Sequence, residues 1–134
     1  MRKYLIVEDD EVFIFLHEHV MRHADPDAEI TSMKSSLMAV DLLNELIEKG
    51  DKVPDVILLD LNMPEMNGFQ FLEYCQPMAE SIFKNTHIYV VTSSLYETDK
   101  TKALSFSFLK GFREKPLTKE DARKIVDLLP PDQI

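Results

Sequence analysis

The sequence predicts an α/β fold, with a mostly parallel sheet and helices on both of its faces. Three observations support this. Short, wholly apolar runs fall at 4–7, 56–59 and 88–91, with a weaker one at 29–33, and strands of that kind are buried on both sides. Stretches with helical periodicity lie between them. The order strand–helix repeats five times, and such alternation marks a sheet whose crossovers are helices. With 134 residues, 45% of them hydrophobic, the chain can build the core of about one domain.

Each element has its own signal. Tyr4-Leu5-Ile6-Val7 is the first strand. Asp10 or Glu11 opens the first helix, with Val12, Leu16 and Val20 at i, i+4 and i+8 as its apolar stripe. After the weak second strand, Ser35 or Ser36 caps a second helix. Leu37, Val40, Leu43 and Ile47 mark its buried face, and Gly50 stands where a left-handed terminal glycine belongs. Val56–Leu59 is the third strand. Asn67-Gly68 leads into a third helix with Phe69, Leu72 and Cys75 on one face, and Pro77 ends it. The fourth strand precedes a helix from about Glu97 to Leu104. That helix passes into Ser105-Phe106-Ser107-Phe108, whose alternation is strand-like, so the start of the fifth strand stays open. Thr118 opens the last helix, with Asp121 as capping partner. Ile125, Leu128 and Leu129 ride on it, and Pro130-Pro131 stops it.

Composition narrows the function classes. The single cysteine, Cys75, precludes a disulfide within the chain, fits a reducing compartment and reads as a small apolar core residue. The N-terminal apolar stretch ends after four residues in Glu8-Asp9-Asp10, too short for a signal peptide or a membrane span. A cytoplasmic protein is expected. A net charge of −9 argues against general nucleic-acid binding. The charge is uneven: residues 1–99 carry 7 basic and 19 acidic side chains, whereas residues 100–124 carry 8 basic and 3 acidic.

Four features fall at the C-terminal tips of the strands. These are Glu8-Asp9 after the first, Asp60 after the third, Thr92-Ser93 after the fourth and Lys115-Pro116 after the fifth. In parallel α/β sheets ligands bind outside these tips, where the strand order reverses. A carboxylate there can act as a nucleophile towards phosphorus, and neighbouring acids can hold a hard cation such as Mg²⁺. A phosphohydrolase of the haloacid dehalogenase type also uses a strand-tip Asp, but it wants a second Asp two residues on. Asn62 stands there and cannot serve as a general acid.

This set, in this order and along essentially the whole chain, resembles the receiver domain of bacterial two-component response regulators, of the single-domain chemotaxis type. The resemblance implies a doubly wound, flavodoxin-like, five-stranded parallel sheet of order 2-1-3-4-5, with residues 1–134 as one receiver domain and no output domain. It implies that Asp60 is the phosphoacceptor, with Mg²⁺ as the cofactor. Asp9 and Asp60 would bind the metal, Glu8 would act through water, and Asn62 would supply its backbone carbonyl. Lys115 and the Thr92 hydroxyl would each meet a phosphoryl oxygen. Phe112, three residues before the lysine, would be the switch aromatic that moves as Thr92 moves. Whether the Lys115-Pro116 peptide is cis stays open.

The implied partners are a sensor histidine kinase and a downstream protein. The latter would dock on the face of the fourth helix, fifth strand and fifth helix, with neither nucleic acid nor membrane involved. That face coincides with the basic segment, so an acidic partner is expected, and a phosphorylation-dependent homodimer is allowed. Enzymatic activity would be limited to self-phosphorylation from a phosphodonor and slow autodephosphorylation. The alternative is a relay intermediate that hands the phosphoryl group to a His-containing phosphotransfer protein.

Overall fold

The computed structural model describes residues 1–131. Five strands and five α-helices alternate. They are β1 (Lys3–Val7), α1 (Glu11–Ala24), β2 (Glu29–Met33), α2 (Ser36–Lys49), β3 (Val56–Leu59), α3 (Gly68–Cys75), β4 (His87–Thr92), α4 (Glu97–Leu104), β5 (Leu109–Glu114) and α5 (Lys119–Asp127), with a 3₁₀ turn at Gln76–Met78 after α3. All strand pairs are parallel, in the order β2-β1-β3-β4-β5.

The period of two along each strand divides the core into two layers. Leu5, Val7, Ile57, Leu59, Ile88 and Val90 face α2, α3 and α4, where Ala39, Leu43, Phe71, Leu72 and Ala103 meet them. Tyr4, Ile6, Val56, Leu58, Tyr89 and Val91 face α1 and α5, against Met21, Ala122 and Ile125. Cys75 is fully buried in the first layer, and burial pushes its thiol up to about 12, so it is an inert core residue.

The caps follow the sequence closely. Asp10 caps α1 by accepting from the Val12 N–H, Ser35 caps α2, and Gly50 ends α2 in the left-handed region with φ of 68°. Thr118 and Asp121 form a full capping box at the start of α5.

Three expectations need correction, and one boundary left open by the sequence is settled. Val12 is 65% exposed, and α1 instead buries His17 and Met21, on nearly the opposite side of the helix. Leu37 is exposed, because α2 packs through the small residues Ser36 and Ala39, then Leu43. Leu128 is exposed at the end of α5, while Leu129 turns inward. Residues 105–108 form a turn and not the start of β5. Its backbone closes through Phe106 N–H to Ala103 O and Leu109 N–H to Phe106 O. Phe106 and Phe108 alternate because both anchor the turn to the core, with their rings 5.8 Å apart and edge-on.

The connection from β3 to α3 is tight at Gly68. A Cβ there would lie 2.7 Å from the Asp60 backbone oxygen and 2.8 Å from the Leu61 Cα. Both are backbone atoms and cannot swing aside. Gly68→Ala should therefore lower unfolding stability by about 1–3 kcal/mol in urea denaturation. An unchanged denaturation midpoint would show that this loop has slack.

Candidate functional site

The chain runs from β1 outward to β2, then crosses back to β3 on the other side of β1. The C-terminal tips of β1 and β3 are thus neighbours at the point where the winding reverses. Val7 pairs with Leu59, so Glu8 and Asp60 occupy the next rung, and the Asp60 N–H donates to Val7 O at 3.0 Å. Glu8 is tied on its other side, its N–H donating to Met33 O. Carboxylate oxygens of Glu8, Asp9 and Asp60 come within 4.8 Å of one another. Glu8 and Asp60 are buried and Asp9 is exposed. The Asn62 N–H lies 3.4 Å from Asp60 Oδ1, which keeps that stretch of backbone beside the carboxylate.

Lys115 reaches this cluster from the loop after β5. Its Nζ lies 2.5 Å from Glu8 Oε1 and 3.1 Å from Asp60 Oδ2, with the side chain only 5% exposed. The other Glu8 oxygen accepts from the Asp10 N–H at 3.1 Å. The Lys115-Pro116 peptide is cis. Burial pushes the Asp60 and Glu8 carboxyls up, against the pull of Lys115. Burial pulls the Lys115 ammonium down, but the two carboxylates outweigh it and hold it above the ordinary lysine value. The three clustered carboxylates have one ammonium in contact, Lys115 at Glu8 and Asp60, so the cluster is short of positive charge. Its donors are all oxygen. That combination fits a hard divalent cation such as Mg²⁺.

Thr92 ends β4, fully buried, with its Oγ1 accepting from the Ser94 N–H at 3.2 Å. The Thr92 carbonyl accepts from the Lys115 N–H at 2.9 Å, which links the β4 tip to the lysine loop. Ser94 Oγ in turn donates to Asp99 of α4 at 2.6 Å. Phe112 pairs with Val90 across the strands and packs on the first core layer. It also lines a groove of about 250 Å³ with Ser94, Leu95, Tyr96 and Lys100, beside the exposed side chains of Leu95 and Tyr96.

Two residues behind the lysine carry no cue in the sequence taken position by position. The Phe13 ring lies 4.6 Å from Lys115 Nζ, and His17, buried at 1% exposure, stacks on Phe13 at 5.9 Å. His17 Nε2 accepts from the Leu117 N–H at 3.2 Å. The spacing Phe13, His17, Met21 is a second i, i+4, i+8 stripe. A polar residue in its centre is the available signal.

Residues 4–127 match the response regulator receiver domain family, and the chain belongs to it. It is thus a receiver domain of two-component phosphorelay systems. It is 33% identical over 82 residues, 61% of its length, to a sensor histidine kinase CheAY of Helicobacter pylori, of which it covers 10%. A two-component response regulator structure from Cytophaga hutchinsonii superposes with a TM-score of 0.84 at 26% identity, over 95% of both chains. One from Legionella pneumophila gives 0.80 at 30%, over 96% of this chain and 97% of that one. The chain spans only about a tenth to a fifth of the length of the first curated relatives it matches. Among the described residues, no helix is long and apolar enough to cross a membrane.

Burial, with the nearby Lys115 charge adding to it, holds the His17 imidazole down at about 4, against an ordinary 6.5. Below pH 6.5 the unfolded chain takes up a proton on this residue that the folded chain refuses until about pH 4. His17 therefore contributes a loss of stability as pH falls through that window. Chemical denaturation from pH 7 to 4 should show a loss roughly 1–3 kcal/mol smaller in His17→Leu than in the parent. Parallel profiles for the two proteins would mean that His17 is readily protonated in the fold.

Proposed function

We propose that Asp60 is the phosphoacceptor of this receiver and that the phosphorylated state is read on the surface formed by α4, β5 and α5. The observation that carries the proposal is the placement of Asp60. Its carboxylate is buried at the switch point, 3.1 Å from the Lys115 ammonium and clustered with two further acids.

An Asp60 oxygen attacks the phosphorus of a phosphohistidine on a partner kinase. The phosphorus–nitrogen bond breaks, its electron pair stays on the imidazole nitrogen, and an acyl phosphate forms. Glu8, Asp9, Asp60 and the Asn62 backbone carbonyl would hold Mg²⁺, which supplies neutralisation of charge on the equatorial oxygens. Lys115 leaves its contact with Asp60 to meet one phosphoryl oxygen, and the Thr92 hydroxyl meets another. Moving that hydroxyl disturbs the Ser94 N–H that it now accepts from, and Ser94 carries the change to Asp99 on α4.

Phe112, with Leu95 and Tyr96 beside it, is the side chain placed to respond on the outer surface. The partner sees a shift in the population of two arrangements. Lys102, Lys110 and Lys119 are exposed on these elements, so an acidic partner suits them. Catalysis by the domain is confined to its own phosphorylation and the slow loss of the phosphoryl group.

With Mg²⁺ and acetyl phosphate, intact-mass analysis should show one added phosphoryl group on the parent and none on Asp60→Asn. Chelating the metal should abolish the addition, and Lys115→Met should slow it by about tenfold or more. A parent that gains nothing, or an Asp60→Asn variant that still gains the group, would overturn the reading.

A further inference from the structure

We infer that His17, on α1, is a positioning residue for Lys115: it anchors the backbone just beyond the lysine and so holds the ammonium at the phosphoryl site. The inference rests on the proposed role of Lys115 at Asp60.

The segment after β5 has few ways to be fixed. Pro116 has no N–H. The backbone donors on either side of it are those of Lys115 and Leu117. The Lys115 N–H goes to Thr92 O at 2.9 Å, and the Leu117 N–H goes to His17 Nε2 at 3.2 Å. The lysine is therefore held between two anchors, one on β4 and one on α1. The next N–H, of Thr118, is already committed to Asp121 in the α5 capping box.

The α1 anchor is built for this contact. His17 is 1% exposed, and its ring is stacked at 5.9 Å on Phe13, the same ring that lies under Lys115 Nζ at 4.6 Å. One face of one helix thus supports the lysine twice: Phe13 beneath the ammonium and His17 behind the backbone. The acceptor must be a neutral imidazole with Nε2 unprotonated. A buried neutral acceptor facing a buried N–H satisfies a donor that would otherwise be orphaned. An apolar residue would fill the same space in α1 without this contact. The chemical reason for a histidine here is its acceptor nitrogen.

The test compares His17→Leu, which keeps apolar bulk and removes the acceptor, with His17→Gln, whose side-chain oxygen can replace Nε2. Each is made alone and together with Lys115→Met. The probe is beryllofluoride with Mg²⁺, titrated against the full chain, alongside the rate of phosphorylation by acetyl phosphate and the thermal midpoint. His17→Leu should remain folded and bind beryllofluoride about tenfold more weakly, with a similar fall in rate. His17→Gln should recover most of that loss. In the Lys115→Met background, His17→Leu should add nothing further, because the effect passes through the lysine.

Equal binding by His17→Leu and the parent would overturn the inference, as would a full additional loss in the Lys115→Met background. If His17→Leu does not fold, nitrogen NMR of the parent decides. An unprotonated Nε2 with scalar coupling to the Leu117 amide supports the anchor, and a protonated Nε2 refutes it. A parent that takes up no beryllofluoride would instead remove the proposed function itself, an outcome distinct from a parent that binds while His17→Leu binds equally well.

Discussion

One ammonium between two buried carboxylates organises this domain's functional edge. Lys115 sits between Glu8 and Asp60, with a side chain only 5% exposed. It comes from the loop after β5, whereas its partners stand at the tips of β1 and β3. The contact therefore spans the sheet from β1 across β3 and β4 to the β5 edge. Neither carboxylate would be tolerable there alone, since an unpaired buried charge costs several kcal/mol. Both are brought to the site by strand pairing, through the Val7–Leu59 rung and the hydrogen bond from Asp60 to Val7. The lysine is held by backbone contacts to Thr92 and His17. Core packing thus fixes the strands, the strands fix the acids, and the acids require the lysine.

The pairing is incomplete, and its incompleteness is the chemical content of the site. Asp9 joins Glu8 and Asp60 in one cluster, so three carboxylates share a single ammonium that contacts two of them. Burial raises the Glu8 and Asp60 carboxyls even with Lys115 beside them. A fold selected for stability alone would replace such a cluster with apolar side chains. Retaining it suits the proposed function, in which a divalent cation would join the three acids and a phosphoryl group would draw on the same ammonium. The Thr92–Ser94–Asp99 chain of hydrogen bonds then provides a physical route from the site to α4.

Much of this was legible in the sequence because it rests on local chemistry. The β2 and β3 strands, the Gly50 terminus and the Thr118–Asp121 box follow from patterns a few residues long. The acids and the lysine were legible because strand tips are predictable and parallel sheets gather them on one edge. The rest depended on tertiary direction. Val12 and Leu37 have suitable helical spacing but lie off the side that meets the sheet, which no periodicity count over apolar residues alone reveals. The Ser-Phe alternation at 105–108 reflects two anchors of a turn, because paired aromatics and a strand share the same spacing. His17 carries no local signal of its role, because its partner lies a hundred residues away, at the Leu117 N–H.

The central claim is that the Glu8–Asp9–Asp60 cluster carries more negative charge than Lys115 can balance, and that a hard cation completes it. Titration of the Glu8 and Asp60 side-chain carboxyl carbons by NMR, without and with Mg²⁺, measures this directly. Without the metal, both carboxyls should titrate above their ordinary values. Saturating Mg²⁺ should bring them down, as an added positive charge favours the ionised forms. Carboxyls that titrate normally without metal and do not respond to Mg²⁺ would contradict the account.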